Sequence, residues 1–170
     1  MTKKPILLDT FCKAGGTSMG YYKAGFEVVG VDIEPQKRYP FEFHQGDAIK
    51  FIEKYGKHFD VIAGSPPCQE YTTLKHLTGR SYPKLIQETR RAMQKIGRPY
   101  VIENVKGARL ELINPIMLCG TMFGLRVLRH RYFETEPEIW FAPFTCCHNG
   151  KASGSKNYKG SKRKNLENFE

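Results

Sequence analysis

Residues 6–18 read ILLDTFCKAGGTS and predict the start of an α/β fold. This stretch opens with a short apolar run, Ile6–Asp9, which is typical of a buried strand. It then passes through two glycines into a segment with helical character, residues 17–24. Glycines between a strand and a helix let a ligand approach the backbone and the N-terminus of the helix. The spacing is not GxGxxG, so the motif predicts a ligand-binding turn without identifying the ligand, and an ordinary strand-helix turn is the alternative.

Outward from this stretch, short apolar runs alternate with helical segments. Further strands are predicted at residues 28–31, 41–45, 61–63 and 100–102, and helices at residues 48–55 and 83–96. This order is typical of an α/β fold with a mostly parallel central sheet, which binds ligands at the carboxyl ends of its strands. The chemically suggestive residues that fall at those ends are Asp9, Asp32, Asp47, Cys68 and Glu103.

The composition indicates a single basic domain, perhaps with a short appendage. The chain has 170 residues, 40% of them hydrophobic, and a formal net charge of +10. A positive excess of this size favours a polyanionic partner, with nucleic acid first and acidic lipid second. A basic protein without such a partner is the alternative.

The cysteines favour a reducing compartment. There are five, an odd number at irregular spacing: Cys12, Cys68, Cys119, Cys146 and Cys147. A disulfide framework is therefore not expected. The apolar run at residues 6–8 is too short for the core of a signal peptide or for a membrane span. We predict a cytoplasmic or nucleoid-associated protein with no membrane contact.

Cys146-Cys147-His148, with Cys119 or His130 as a further ligand, is a candidate metal site. Adjacent cysteines are poorly spaced for tetrahedral ligation, and the sequence contains no CxxC pair. The sequence therefore predicts no metal site.

Cys68 is the candidate nucleophile. It follows two prolines in GSPPCQ, residues 64–69, which fix the backbone just past a predicted strand end. A lone cysteine is more often a buried apolar filler, but a rigidly held one at the end of a strand favours a functional role.

Two further motifs supply charged side chains. Glu103 follows an apolar strand, where partial desolvation can raise its pKa and allow it to donate a proton or a hydrogen bond. Arg129 and Arg131 alternate, so on a strand they would face one side and suit phosphate, carboxylate or an oxidised ring edge. A solvated glutamate and an exposed basic edge strand are the alternatives.

Taken in order, these motifs resemble those of the DNA cytosine-C5 methyltransferases, from about residue 6 to residue 135. The family's cofactor loop, Phe-x-Gly-x-Gly-Gly, corresponds to FCKAGG at residues 11–16. Its Pro-Cys-Gln corresponds to residues 67–69, its Glu-Asn-Val to residues 103–105, and its Gln-x-Arg-x-Arg to VLRHR at residues 127–131. The resemblance implies a Rossmann-like, S-adenosylmethionine-dependent methyltransferase fold.

The resemblance also implies roles for individual residues. Cys68 would attack C6 of cytosine, Glu103 would hydrogen-bond the ring, and Arg131 with Arg129 would stabilise the ring carbonyl or orient the other two. S-adenosylmethionine would be bound by Phe11, Cys12, Lys13, Gly15, Gly16, Thr17, Asp32, Ile33, Asp47, Ala48, Ser65 and Pro67. Double-stranded DNA, with the target base flipped out, would contact Gln69 and a basic cluster at Lys156, Lys159, Lys162, Arg163 and Lys164.

The predicted division is a catalytic domain at residues 1–140 and a basic segment rich in Gly, Ser and Lys at residues 141–170. Lys13 stands at the first glycine of the cofactor loop, where a positive φ would make lysine costly unless the loop differs or Lys13 pairs with the cofactor carboxylate. Val127 replaces the glutamine of the arginine motif. Residues 132–170 follow that motif, so the sequence is a fragment, or recognition is minimal, or a second chain completes the enzyme. An RNA cytosine methyltransferase and a catalytically silent nucleic-acid-binding protein are the other hypotheses.

Overall fold

The computed structural model describes residues 3–72, 81–125, 127–140, 142, 144–146 and 148. Within these residues the strands are β1 Ile6–Thr10, β2 Glu27–Asp32, β3 Glu42–Gln45, β4 Val61–Gly64, β5 Tyr100–Asn104, β6 Ile116–Cys119 and β7 His130–Glu136. The α-helices are α1 Gly16–Lys23, α2 Ala48–Tyr55 and α3 Ile86–Ile96. Short 3-10 turns lie at Gly56–His58, Gln69–Tyr71, Lys106–Glu111 and Gly120–Phe123.

The strands form one sheet in the order β3-β2-β1-β4-β5-β7-β6. The first five run parallel, whereas β7 pairs antiparallel with β5, and β6 pairs antiparallel with β7. The predicted α/β class with a mostly parallel sheet is confirmed. The β6-β7 hairpin adds an antiparallel edge. The sequence predicts only one strand here, with Arg129 and Arg131 both on it, and this is correct for Arg131 alone because β7 begins at His130.

The helices cover both faces of the sheet. Leu7 packs on one face with Tyr21 of α1, and its neighbour Leu8 packs on the other, because successive strand residues point to opposite faces. Helices α2 and α3 share the second face, where the main core lies. Its fully buried members include Leu8, Val31, Ile52, Ile62, Ile86, Met93 and Ile102.

Helix boundaries follow local chemistry. Helix α2 begins where predicted because the carboxylate of Asp47 accepts a hydrogen bond from the backbone N–H of Lys50 at 2.9 Å. Helix α3 ends where predicted, at Gly97, which adopts a left-handed φ of 70°. The predicted start at residue 83 was wrong, since α3 begins at Ile86. The segment before α3 lies outside the helix, and the Tyr82 N–H in that segment donates to the Glu70 carboxylate at 3.1 Å.

A buried ion pair ties α3 to the antiparallel edge of the sheet. The Arg90 guanidinium donates to both carboxylate oxygens of Glu134 on β7, each at 2.6 Å. Arg90 also donates to the backbone carbonyl of Glu111 at 2.6 Å, and the Tyr100 hydroxyl donates to Glu134 at 3.2 Å. This network fixes the position of β7, the strand that carries Arg131.

Candidate active site

The glycine-containing loop after β1 lies against the end of β2. The Lys13 N–H donates to the carboxylate of Asp32 at 3.0 Å, and the Cys12 N–H donates to the Val31 carbonyl at 3.2 Å. Lys13 adopts a φ of 48°, a left-handed conformation that costs a non-glycine residue about 1 kcal/mol or more. The backbone bond to Asp32 holds Lys13 in that conformation.

The Lys13 side chain pairs with protein carboxylates. Its ammonium nitrogen lies 2.8 Å from Glu34 Oε2 and 3.5 Å from Asp32 Oδ1. The Glu34 contact is exposed and contributes little stability. The Asp32 contact places a positive charge beside a buried acid at the end of β2.

A cleft of about 880 Å³ lies at the carboxyl ends of the parallel strands. It brings together all four predicted catalytic residues: Cys68, Glu103, Arg129 and Arg131. Gln69 also lines it, with all but one of the predicted cofactor-binding residues: Phe11, Cys12, Lys13, Gly16, Thr17, Asp32, Ile33, Asp47, Ala48, Ser65 and Pro67.

Gly15 is the exception, because it lies against Tyr39 and Pro40 and does not line the cleft. It is the residue before α1 and has a φ of 83°. A Cβ atom there would lie 2.9 Å from Pro40 Cδ and 3.0 Å from the Tyr39 ring. Gly15 therefore supports the turn and does not face the cleft.

The end of β2 combines an acid with an apolar wall. Asp32 is buried, and its carboxylate accepts the N–H groups of Lys13 and Glu34, both at 3.0 Å. The adjacent Ile33 is 68% exposed and lines the cleft together with Ala48 and Ile49. An apolar wall beside a hydrogen-bonding carboxylate suits a nucleoside.

The segment after β4 holds Cys68 at the cleft. The Ser65 N–H donates to the Thr10 carbonyl at 3.2 Å, and the Pro66 carbonyl accepts a hydrogen bond from the Asn104 side chain at 2.9 Å. Cys68 is half-buried, and its carbonyl accepts the Tyr71 N–H at 3.0 Å at the start of the three-residue 3-10 turn. Buried Asn104 therefore positions the loop of the candidate nucleophile. Asn104 belongs to the Glu-Asn-Val motif, but the sequence alone does not predict this role for it.

Glu103 and Arg131 form a close ion pair in the same cleft. Arg131 Nε lies 2.6 Å from Glu103 Oε1. Burial raises the pKa of Glu103 above its usual range, against the opposing effects of Arg131, a hydrogen bond with Ser65 and the charge of Arg129. The group is therefore set to hold a proton more readily than an ordinary glutamate.

The two cysteines of the cleft differ in environment. Burial, reinforced by the negative charges of Asp9 and Asp32, raises the pKa of the Cys12 thiol to about 12. Cys12 therefore stays a thiol at neutral pH, and Cys68 is the candidate for thiolate chemistry.

Asp9, near the end of β1, also lines the cleft. The sequence predicts its position at a strand end but no function for it. Its carboxylate accepts a hydrogen bond from the Ser18 hydroxyl, and the Tyr39 hydroxyl donates to Ser18 at 2.8 Å. Burial raises the pKa of Asp9 from 3.8 to about 6, opposed by Ser18 and assisted by the charge of Asp32. At neutral pH the cleft therefore holds a desolvated negative charge.

The substitution Asp9→Asn is expected to stabilise the fold at pH 7. The pKa of Asp9 is higher in the folded state than in the unfolded state. The stability that protonated Asp9 gives the wild-type fold is therefore fully present below about pH 4 and is lost as the pH rises through about 6. The variant lacks this loss, so its free energy of unfolding at pH 7 should exceed that of wild type by about 3 kcal/mol. Urea unfolding at pH 4 and pH 7 measures this. Equal slopes with pH for both proteins would contradict the assignment.

The predicted DNA contacts Lys156, Lys159, Lys162, Arg163 and Lys164 lie outside the described residues. Among the described helices, none is long and apolar enough to cross a lipid bilayer.

Comparison with known proteins identifies the family. The model of the family described as C-5 cytosine-specific DNA methylase matches residues 6–111. The type II methyltransferase M.XorII of Xanthomonas oryzae is 33% identical over 122 residues, which cover 61% of this chain and 29% of that protein. M.HgiGI of Herpetosiphon aurantiacus is 31% identical over 122 residues, 63% of this chain and 95% of that protein.

A solved structure adds the fold. The crystal structure of S. pombe Dnmt2 methyltransferase superposes with a TM-score of 0.54 at 16% identity, covering 78% of this chain and 49% of that one. The chain spans about a third of the length of several curated relatives it matches, such as 29%, 32% and 33% of three of them. Because the family model matches residues 6–111, more than half of the sequence, this chain belongs to the C-5 cytosine-specific DNA methylase family.

Proposed function

We propose that this chain transfers a methyl group from S-adenosylmethionine to C5 of cytosine in double-stranded DNA. One observation supports this most directly. Cys68 and the Glu103–Arg131 ion pair line the same cleft as Asp32 and the apolar side chains beside it, which suit a nucleoside. Reacting groups and cofactor groups must share one space if a methyl group is to pass between them.

The residues present fit S-adenosylmethionine. Asp32 would accept the ribose hydroxyls, and Ile33, Ala48 and Phe11 would contact the adenine. The desolvated carboxylate of Asp9 favours a cationic ligand, because a positive charge offsets the cost of its burial. When bound, S-adenosylmethionine supplies an electrophilic methyl group on a sulfonium.

The chain's own groups would activate the ring. Cytosine C5 is a poor nucleophile, and attack of the Cys68 thiolate on C6 saturates the 5,6 bond and makes C5 electron-rich. Glu103, with its raised pKa, would donate a hydrogen bond or proton to N3 as negative charge develops there. Methyl transfer would leave S-adenosylhomocysteine as the neutral leaving group. A base would then take the C5 proton, which restores the 5,6 double bond and releases the Cys68 thiolate, and N3 would return its proton to Glu103.

Arg131 would hold the acid in place. Its guanidinium contacts Glu103 at 2.6 Å, and Arg129 lines the same cleft. The pair would orient Glu103 and stabilise negative charge on the ring carbonyl.

The substrate must be presented outside the helix stack. C6 of a stacked base is inaccessible to a side chain, so the target cytosine would be flipped into the cleft. The net charge of +10 favours the phosphate contacts that accompany this step. The division into a catalytic domain at residues 1–140 and a basic segment at 141–170 is part of the same proposal, and so is a second chain that completes recognition.

Transfer of tritiated methyl from S-adenosylmethionine to duplex DNA and to tRNA tests the proposal. Label recovered as 5-methylcytosine from DNA supports it. Label in tRNA alone would replace DNA with RNA as the substrate. Salt-sensitive DNA binding without cofactor binding or transfer would favour a silent binding protein.

Glu103→Gln is expected to lower kcat by about 100-fold to 1000-fold. Glutamine cannot supply the proton, although it can still accept from Arg131. Cofactor affinity, measured by calorimetry, should stay within about threefold. A variant with unchanged kcat would show that Glu103 has only a structural role.

A further inference from the structure

Two thiols and two imidazoles converge at the antiparallel edge of the sheet. Cys119 ends β6 and His130 begins β7, and they lie opposite each other in the hairpin. Cys146 and His148 come from the segment after β7. We call these four residues the Cys2His2 cluster. Their ligand atoms all lie within 4.8 Å of one another.

The four ligand atoms are close enough to share one central ion, and four of their separations are at or inside those that zinc ligands have. His148 Nε2 lies 2.7 Å from Cys146 Sγ, 3.0 Å from His130 Nε2 and 3.6 Å from Cys119 Sγ. His130 Nε2 lies 3.3 Å from Cys146 Sγ. Tetrahedral zinc, with its bonds to sulfur and to nitrogen, places ligand atoms about 3.3 to 3.8 Å apart.

Hydrogen bonding alone does not account for this arrangement. A single imidazole nitrogen is either one donor or one acceptor, yet His148 Nε2 lies close to three partners. The Nε2 atoms of His130 and His148 lie 3.0 Å apart, and at most one of them can donate to the other. One cation at the centre would satisfy all four groups at once.

We propose that Cys119, His130, Cys146 and His148 bind a structural zinc ion. Two sulfur and two nitrogen ligands in a tetrahedral arrangement are the set that zinc prefers, and four protein ligands leave no open position for catalysis. The Thr121 hydroxyl donates to Cys119 Sγ at 3.3 Å, which is the kind of outer contact that orients a metal ligand. This departs from the prediction of no metal.

The site is separate from the active-site cleft and stands independently of the proposed function. None of the four residues lines the cleft. On β7 the neighbours His130 and Arg131 point to opposite faces of the strand, so Arg131 reaches Glu103 while His130 faces the cluster. Zinc would therefore link β6, β7 and the segment containing residues 144–148, behind the strand that carries Arg131.

Metal analysis of the whole chain, purified under reducing conditions without chelator, tests the site. We expect close to one equivalent of zinc per chain, and a visible spectrum of tetrahedral cobalt with thiolate ligation after Co²⁺ replaces it. Cys146→Ser and His148→Ala should each weaken zinc affinity at least about 100-fold. Cys68→Ala and His44→Ala are matched controls and should retain the metal.

These variants suit the test because Cys146 is half-buried and His148 is exposed, whereas Cys119 is buried. If either variant failed to fold, the cobalt spectrum of the wild-type chain would still report its thiolate ligands. The proposal is overturned if the wild-type chain takes up no zinc on reconstitution, or if both variants bind zinc as wild type does. A Cys119–Cys146 disulfide recovered under reducing, anaerobic conditions would also overturn it.

Discussion

Replacing Cys68 with alanine is expected to lower methyl transfer to cytosine by at least about 10⁴-fold. Without the Cys68 thiolate, no group attacks C6, and C5 of the ring remains a poor nucleophile. Cys12 lines the same cleft, but its pKa of about 12 keeps it protonated. Transfer of labelled methyl to duplex DNA measures the loss. Calorimetry with S-adenosylmethionine should show affinity within about twofold of wild type, because the change removes only the sulfur atom.

A stable covalent adduct distinguishes a Cys68 that attacks the ring from a Cys68 that only positions other groups. DNA that carries 5-fluorocytosine at the target cannot lose the C5 substituent as a proton, so the adduct between Cys68 and C6 should persist through denaturing electrophoresis. Wild type should form this adduct, and both Cys68→Ala and Cys68→Ser should not, while DNA with ordinary cytosine gives the matched substrate control. Formation of 5-methylcytosine by Cys68→Ala at the wild-type rate would remove Cys68 from the mechanism.

Much of the parallel half of the fold could be predicted from the sequence. Its strands are short apolar runs that end in polar residues, as at Asp9, Asp32 and Glu103, and parallel strands bring those ends to one edge. The cleft residues followed from that placement together with the family motifs. The sequence could not reveal that Lys13 would tolerate a φ of 48°, because this depends on its backbone bond to Asp32 on another strand.

The antiparallel edge could not be predicted to the same extent. Strand β6 has intermediate burial, with only Cys119 buried, so it lacks a clear alternating pattern. The pairing of Cys119 with His130 depends on the register of the hairpin, which local patterns do not encode. The sequence predicts no metal, because the adjacent residues Cys146 and Cys147 are poorly spaced as ligands of one ion and no CxxC pair is present. In the structure Cys146 and His148 converge with residues from two strands.

Removing one partner of the buried Arg90–Glu134 pair is expected to destabilise the fold by about 3–5 kcal/mol. Arg90 is 8% exposed and Glu134 is 2% exposed. Arg90→Met would leave the Glu134 carboxylate buried, with donation only from the neutral groups Tyr100 O–H and Ile113 N–H. Glu134→Gln keeps an acceptor for those donors but leaves the guanidinium charge unpaired. Urea or thermal unfolding of each variant measures the loss.

The pair also connects stability to the site, because Glu134 lies on β7 three residues after Arg131. A shift of β7 should therefore lower methyl transfer even under conditions in which each variant is folded. The double variant Arg90→Met/Glu134→Leu removes both charges and should lose less stability than the sum of the single variants.

Lys95→Met provides the matched control on α3. Its ion pair with Glu53 is 3.7 Å long and exposed, so the change should cost less than about 1 kcal/mol. Additive losses in the double variant would show that the two charges contribute independently, and the inferred coupling between α3 and β7 would then fail.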